Sequence, residues 1–279
     1  MLHRGEYVKR KSYGGDMLFR VGGIRADGVA LLEGISYRIS ADAPLSDLIR
    51  AGERETQSVR RREAERIREK MEQLKSRHIQ WGIGKGFSRS VRILHIDGDA
   101  EYLLLCLRYY RELGLEAYGE AIEEIKQPQE ILRCLRQYQP EILVVTGHDS
   151  IPRNPTDILR EEIYRSSSYF AETVRRARAK EPDMDRLVII AGACQSYYEL
   201  LMEAGANYAS SPGRVLIHAM DPVILCAEVA YTPLQETVSA EKAVALTFTG
   251  AQGMGGYDTK GKGRRGYPLG RRKIISYPV

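Results

Sequence analysis

Two short apolar runs, each ending on a reactive side chain, constrain this chain more than any other feature. EILVVTGHD leads to His148 and RLVIIAGACQS leads to Cys194, 46 positions further on. Residues 142–145 and 187–190 are continuous, rich in branched side chains and soon followed by glycine, the pattern of strands covered on both faces. From about Ser90 onward, strand and helix signals alternate. VRILHID, LEAYGEA and EILVVTG read as strands, separated by the helical patterns AEYLLLCLRYYRELG and PQEILRCLRQYQP. EEIYRSSSYFAETVRRARAK follows as a helix, then the Cys194 strand and a helix closed by Gly205. Such alternation predicts an α/β domain with a parallel sheet wrapped by helices. In an open parallel sheet the ligand crevice lies beyond the carboxyl ends of the strands, so adjacent strands would bring His148 and Cys194 into one cleft.

A thiol beside an imidazole is chemically competent to cut an acyl bond. The imidazole shifts the thiol toward its nucleophilic thiolate and then carries the proton to the leaving group. SYYELLMEAG reads as a helix, which would set Cys194 near its amino end. Exposed amides there favour negative charge, and the Cys194 amide itself would face the oxyanion of the attacked carbonyl. Gly192 is expected to leave room for a substrate backbone. Cys106, Cys134 and Cys226 lie inside apolar runs and read as core residues. Of the remaining histidines, His3 and His78 sit in polar stretches, while His95 and His218 read as packed and hydrogen-bonded.

Composition narrows the class. No run of about 18 apolar residues and no basic-then-apolar leader pattern is visible, which predicts a chain made and kept in a cytosol, with no membrane partner. Four cysteines without paired metal-type spacing predict neither a disulfide scaffold nor a metal site, and no cofactor is expected. The net charge of +5 is mild, and its basic excess is concentrated in VRRREAERIR and in the tail from Lys260 to Lys273.

Three regions are expected. Residues 1–52 carry short alternating stretches separated by glycines, a pattern predicting a small β-barrel module. Residues 53–89 combine a charge-rich helical linker, with sparse Val59, Ile67, Met71 and Leu74, and the glycine-rich junction WGIGKGFSRS. Acids interleave with bases along this helix, so nucleic-acid binding is not expected of it. Residues 90–279 form the third region, and its tail GMGGYDTKGKGRRGYPLG reads as too glycine-rich for regular structure, either a flap or an irregular end.

The strings ILHIDGD, VVTGHDS, GACQSYYELLMEAGANYASSP and VLIHAMDPV, with KRKSYGGDMLFRV near the amino terminus, resemble the YabG family of sporulation-specific proteases along nearly the whole chain. The order His, then Cys about 50 residues later, also resembles the wider caspase and clostripain superfamily. The resemblance implies a caspase-like α/β/α cysteine protease domain over 90–279 with His148 and Cys194 as catalytic pair. It further implies an Arg-specific endopeptidase of the sporulating cell, cytoplasmic or spore-associated, acting on spore coat and other spore proteins and on itself.

Caspase-type enzymes usually carry Gly directly after the catalytic His. Here Asp149 stands in that place, its backbone amide still able to serve the oxyanion and its carboxylate directed either at His148 or into solvent. An arginine-binding pocket needs an acid, since a guanidinium pairs best with a planar carboxylate. The candidates are Asp97 and Asp99 after the first sheet strand, with Asp97 slightly favoured, and Asp221; DGD is equally a plain turn. Arg60, Arg61 and Arg62 then become the autocleavage region. Two rival readings stand beside the protease. One is a receiver-like phospho-signalling domain with Asp149 as phosphate acceptor, and the other is an inactive protease fold that only binds spore coat proteins. The oligomeric state is not legible in the sequence.

Overall fold

The computed structural model describes residues 2–15, 17–35, 37, 39–80, 88–152 and 157–265. Two compact units are present, Met1–Lys70 and Met71–Val279. In the first, strands β1 (Tyr7–Arg10), β2 (Phe19–Ile24), β3 (Val29–Gly34), β4 (Ser40–Pro44) and β5 (Leu48–Arg50) form an antiparallel sheet in the order β4-β3-β2-β1-β5. Val8, Phe19, Val21, Ala30, Leu32, Ala43 and Leu48 alternate onto one buried face, the period-two pattern of a half-buried strand. A three-residue 3-10 turn, Leu45–Asp47, carries the chain from β4 to the opposite edge strand β5. The sheet therefore curls until its edges lie near one another. The antiparallel strands that the sequence predicts are present, and no ladder joins the two edges among the described residues.

Helix α1 runs over Glu53–Gln80, as its charge pattern predicts, but its carboxyl-terminal part is not a solvated spacer. Met71 and Leu74 are buried, and Arg77 lies 3.6 Å from the buried carboxylate of Glu228. The spacing 67, 71, 74 places three apolar side chains on one stripe, and that stripe suffices to bury a helix whose other faces are charged. The segment WGIGKGF, read as a junction, lies outside the described residues.

The second unit continues with β6 (Ser88–Arg89), β7 (Arg92–Asp97), α2 (Ala100–Glu112), β8 (Glu116–Ala121), α3 (Gln127–Tyr138) and β9 (Ile142–Thr146). Next come α4 (Ser167–Lys180), β10 (Val188–Ala191), α5 (Tyr198–Glu203), β11 (Tyr208–Ser210) and α6 (Asp221–Tyr231). The remaining elements are β12 (Thr237–Val238), α7 (Ala240–Ala245), α8 (Gly250–Gly253), β13 (Met254–Gly256), β14 (Thr259–Lys260) and β15 (Arg264–Arg265). Six strands form the main sheet in the order β13-β11-β10-β9-β7-β8. All are parallel except β13, which pairs antiparallel with β11. Counted from β7, the parallel strands run 2-1-3-4-5, a doubly wound order whose switch point falls between β7 and β9. One face of the sheet carries Leu94, Ile96, Leu143, Val145, Ile189 and Ala191 under α3, α4 and α5. On the other, α2 and α6 meet through Tyr110 and Cys226, whose hydroxyl and sulfur lie 3.5 Å apart.

The glycine-rich tail is partly ordered as strand. Met254–Gly256 closes the sheet edge, Thr259–Lys260 pairs with β12, and Arg264–Arg265 pairs with β6. Glycine is needed here for closeness and not for freedom, because a Cβ on Gly256 would stand 2.5 Å from the Tyr208 ring and closer still to the Asn207 carbonyl. Residues 266–270 of the tail lie outside the described residues. Replacing Gly256 with Ala is expected to cost about 1–3 kcal/mol through overpacking. A thermal scan should show this as a fall in Tm of roughly 2–10 °C, and an unchanged Tm would contradict the close packing of β13.

Candidate active site

The carboxyl ends of four adjacent parallel strands present, in spatial order, Cys194 after β10, His148 after β9, Asp99 after β7 and Glu124 after β8. Strands β9 and β10 pair in register through Val145 and Ala191, so each reactive residue lies three positions beyond the same rung of the ladder. Past that rung the two loops are clasped by one buried carboxylate. Asp149 Oδ1 accepts from the amides of Ser150 and Ser166 at 2.9 and 2.8 Å. Its Oδ2 accepts from the hydroxyls of Ser167 at 2.5 Å and Ser196 at 2.9 Å. The Ser196 hydroxyl in turn accepts from the Ala193 amide at 2.9 Å, bracketing Cys194. Burial pushes the Asp149 carboxyl above its ordinary range, and the hydrogen bonds from Ser167, Ser166, Ser196 and Ser150 oppose that shift.

The Asp149 carboxylate thus points neither at His148 nor into solvent, the two directions read from the sequence. It is also withdrawn from any role as phosphate acceptor, because four donors already occupy it. The Asp149 amide N–H has no acceptor among the described residues. The His148 amide, by contrast, donates to Glu124 Oε1 at 2.7 Å.

His148 is turned toward acids. Its Nε2 lies 3.5 Å from Asp99 Oδ2 and its Nδ1 3.9 Å from Glu124 Oε1. Nε2 is buried without a hydrogen-bond partner among the described residues, and the Tyr102 ring stands 6.2 Å from the imidazole, centroid to centroid. Glu124 was not singled out from the sequence. The signal available was its place just past the end of β8, at the same sheet edge. It is seated by Gly98 and Gly147, since a Cβ on either would collide with its carboxylate.

Cys194 is wholly buried. Its sulfur accepts from the Ile217 amide at 3.2 Å and lies 3.6 Å from the Ile217 carbonyl oxygen. Helix α5 begins only at Tyr198 and spans six residues, so Cys194 sits in the preceding turn and not within a helix's first turn, where the dipole acts. Gln195 directly after it has φ +58°, a left-handed conformation that costs a side-chain-bearing residue about 1–2 kcal/mol. Gly192, with φ +104°, gives space to Leu201 and Ser210 and not to a ligand.

Of the acids named from the sequence for an arginine pocket, Asp97 and Asp221 are engaged inside the protein. Asp97 is buried, accepting from the Asp99 amide at 2.9 Å and lying 3.4 Å from His95 Nε2. Asp221 is buried at the start of α6 and accepts from Phe248 N at 2.7 Å, His218 N at 3.1 Å and the Thr249 hydroxyl. Asp99 keeps some surface and caps α2 through Glu101 N and Tyr102 N. His95 and His218 are packed, bonding Tyr110 and Met220 N respectively at 3.1 Å. Cys106, Cys134 and Cys226 are buried. Arg60, Arg61 and Arg62 are exposed on α1. No group of three or more metal-type ligands occurs among the described residues.

Comparison with known proteins defines the class as a peptidase. The profile of the family described as YabG peptidase U57 matches residues 3–268. The sporulation-specific protease YabG of Bacillus subtilis (strain 168) is 39% identical over 283 residues, spanning 95% of this chain and 97% of that protein. The chain belongs to the YabG family of peptidases. Among solved structures, a novel cobalamin-binding protein from Desulfitobacterium hafniense DCB-2 aligns with 50% of this chain and 57% of its own, at 19% identity and a TM-score of 0.30, too low a similarity to bear on fold or chemistry.

Asp149→Asn replaces an acceptor oxygen by a donor and leaves the Ser167 and Ser196 hydroxyls without their carboxylate. The expected loss is about 2–4 kcal/mol in chemical denaturation near neutral pH. A carboxyl raised in the folded state favours folding while protonated, so its contribution falls as pH rises from about 4 through the folded value. The stability gap between wild type and Asp149→Asn should therefore narrow as pH rises through that interval. A gap that widens would show that burial does not dominate at this carboxyl.

Proposed function

We propose that this chain is a cysteine endopeptidase acting during sporulation, with Cys194 as nucleophile and His148 as its general base and acid. The observation that carries the reading is the Asp149–Ser196 hydrogen bond, which clasps the two reactive loops side by side at the ends of paired parallel strands. The family supports the peptide-bond chemistry, and its Bacillus subtilis member is named for sporulation. The left-handed Gln195 beside Cys194 is the kind of backbone strain that clusters at functional sites.

In the proposed cycle His148 turns from Asp99 toward Cys194 and takes the thiol proton. The thiolate attacks the substrate carbonyl, and the resulting oxyanion is met by the amides of Asp149 and Cys194. His148 then protonates the departing amine as the C–N bond breaks. Water, deprotonated by the same imidazole, hydrolyses the thioester and regenerates the thiol. Asp99 and Glu124 hold the ring between turnovers. No step uses a cofactor or metal.

The finer reading follows the family likeness: a caspase-like protease domain over 90–279, cleavage after arginine, spore coat and related proteins as substrates, and processing of the chain itself in the sporulating cell. No described helix is long and apolar enough to cross a membrane. Autoprocessing at Arg60, Arg61 or Arg62 requires α1 to open locally, since all three are helical and Arg61 pairs with Glu65 at 2.9 Å. Such a cut would separate the 1–52 module and part of the 53–89 linker from the rest.

Cys194→Ala and His148→Ala are each expected to lower peptide cleavage by about a thousandfold or more while leaving far-UV circular dichroism unchanged. Retained cleavage in Cys194→Ala removes the cysteine-protease reading. A wild-type chain that binds spore proteins without cutting them supports the inactive binding fold. Mass-spectrometric mapping of cut sites in a mixed peptide library, and in the chain itself, should place arginine on the amino side of each cut, with self-cleavage at residues 60–62. Cuts scattered over other residue types would refute the arginine preference.

A further inference from the structure

Residues 211–219 lie as a strap across the Cys194 loop. The Gln195 amide donates to the Val215 carbonyl at 3.0 Å, and the Cys194 sulfur is enclosed by the backbone of Ile217. The strap is tied back by Ser211 N to Gly253 O at 2.7 Å and by Gly213 N to Gln252 O at 3.0 Å. Of the four described non-glycine residues with positive φ, three belong to this junction: Gln195 at +58°, Ser211 at +66° and Arg214 at +54°.

Arg214 fills a socket built by the segments flanking the clasp. Its guanidinium lies 5.7 and 5.4 Å from the ring centroids of Tyr164 and Tyr197, which stack on each other at 4.9 Å and 12°. Its Nε donates to the Tyr164 hydroxyl at 2.7 Å, one terminal nitrogen pairs with the Glu199 carboxylate, and the other donates to the carbonyls of Ser211 and Pro212 at 3.2 and 3.3 Å. The side chain is 9% exposed. Tyr197 and Glu199 stand three and five positions after Cys194. An aromatic wall with a carboxylate and a hydroxyl acceptor suits a planar guanidinium, which stacks and spreads its donors over both acceptors, better than the point charge of an ammonium.

We infer that Tyr164, Tyr197 and Glu199 form the subsite that takes the substrate's arginine, and that Arg214 fills it in cis while its strap shields Cys194. The inference rests on the proposed Cys194 chemistry and arginine preference. It supplies an acid where Asp97 and Asp221 are buried in internal hydrogen bonds and Asp99 caps α2 and faces His148. Displacement of Arg214 by a substrate arginine couples recognition to exposure of the sulfur, so the enzyme is uncovered by the side chain it selects.

The full-length chain is treated with iodoacetamide, and Cys194 labelling is followed by peptide mass mapping, with and without arginine amide or lysine amide. In wild type, labelling should be slow and should rise about fivefold or more with arginine amide but not with lysine amide. Arg214→Ala and Arg214→Lys should each label about tenfold faster without any ligand. With an arginine peptide, Glu199→Gln should raise KM about tenfold, whereas Arg214→Lys should lower it by freeing the subsite. Labelling that ignores both arginine amide and the Arg214 substitutions overturns the inference, as does a KM that rises equally in Glu199→Gln and Arg214→Lys. Failure of the catalytic reading is distinct: labelling would respond as described, yet no arginine peptide would be cut.

Discussion

The site depends on a single buried carboxylate. Asp149 gathers donors from its own loop, from the start of α4 and from the turn after Cys194, so three segments distant in sequence share one acceptor group. Burying a carboxylate is costly unless nearly all its lone pairs are used, and here both oxygens accept two bonds each. The network leaves the two reactive residues bracketed. His148 is held between Glu124 on its own amide and Asp149 next in the chain, and Cys194 between Ala193 and Ser196, which bond each other.

A second polar network lies behind the first. His95, Asp97 and Tyr110 are buried together between the sheet and α2, reaching Cys226 on α6. In a low-dielectric interior such groups specify one packing arrangement, because alternatives leave polar atoms unpaired. This explains why the first acid of DGD serves the fold while the second, Asp99, caps α2 and stands at the surface beside His148. The carboxylates are sorted into framework and site by which way a two-residue step along a strand end turns them.

Much of the sheet was legible because buried parallel strands leave a continuous apolar signature: 142–145 and 187–190 lie in β9 and β10 with only boundary shifts. The curl of the amino-terminal sheet was half legible, since alternation reveals strands but not which edges pair. Glycine misled twice. In the tail and at Gly192 it was read as freedom or open space, whereas the structure uses its missing Cβ to admit Tyr208, Ser210 and Leu201. The charge pattern of α1 reveals a helix but not that two of its sparse apolar residues, Met71 and Leu74, are buried. Glu124 offered only its place just past a strand end, and the Arg214 socket offered no local pattern, because its walls come from separate segments, one of them 50 positions away.

The sequence alone determined the strand–helix alternation, the placement of a histidine and a cysteine at strand ends, and the family likeness, all properties carried by local pattern and periodicity. Only the tertiary structure decided which groups those ends face: acids around His148, an Arg214-pinned strap over Cys194, and Asp149 turned inward to join their loops. Direction in space depends on long-range packing and on the requirement that every buried polar atom find a partner, and no stretch of chain specifies that by itself.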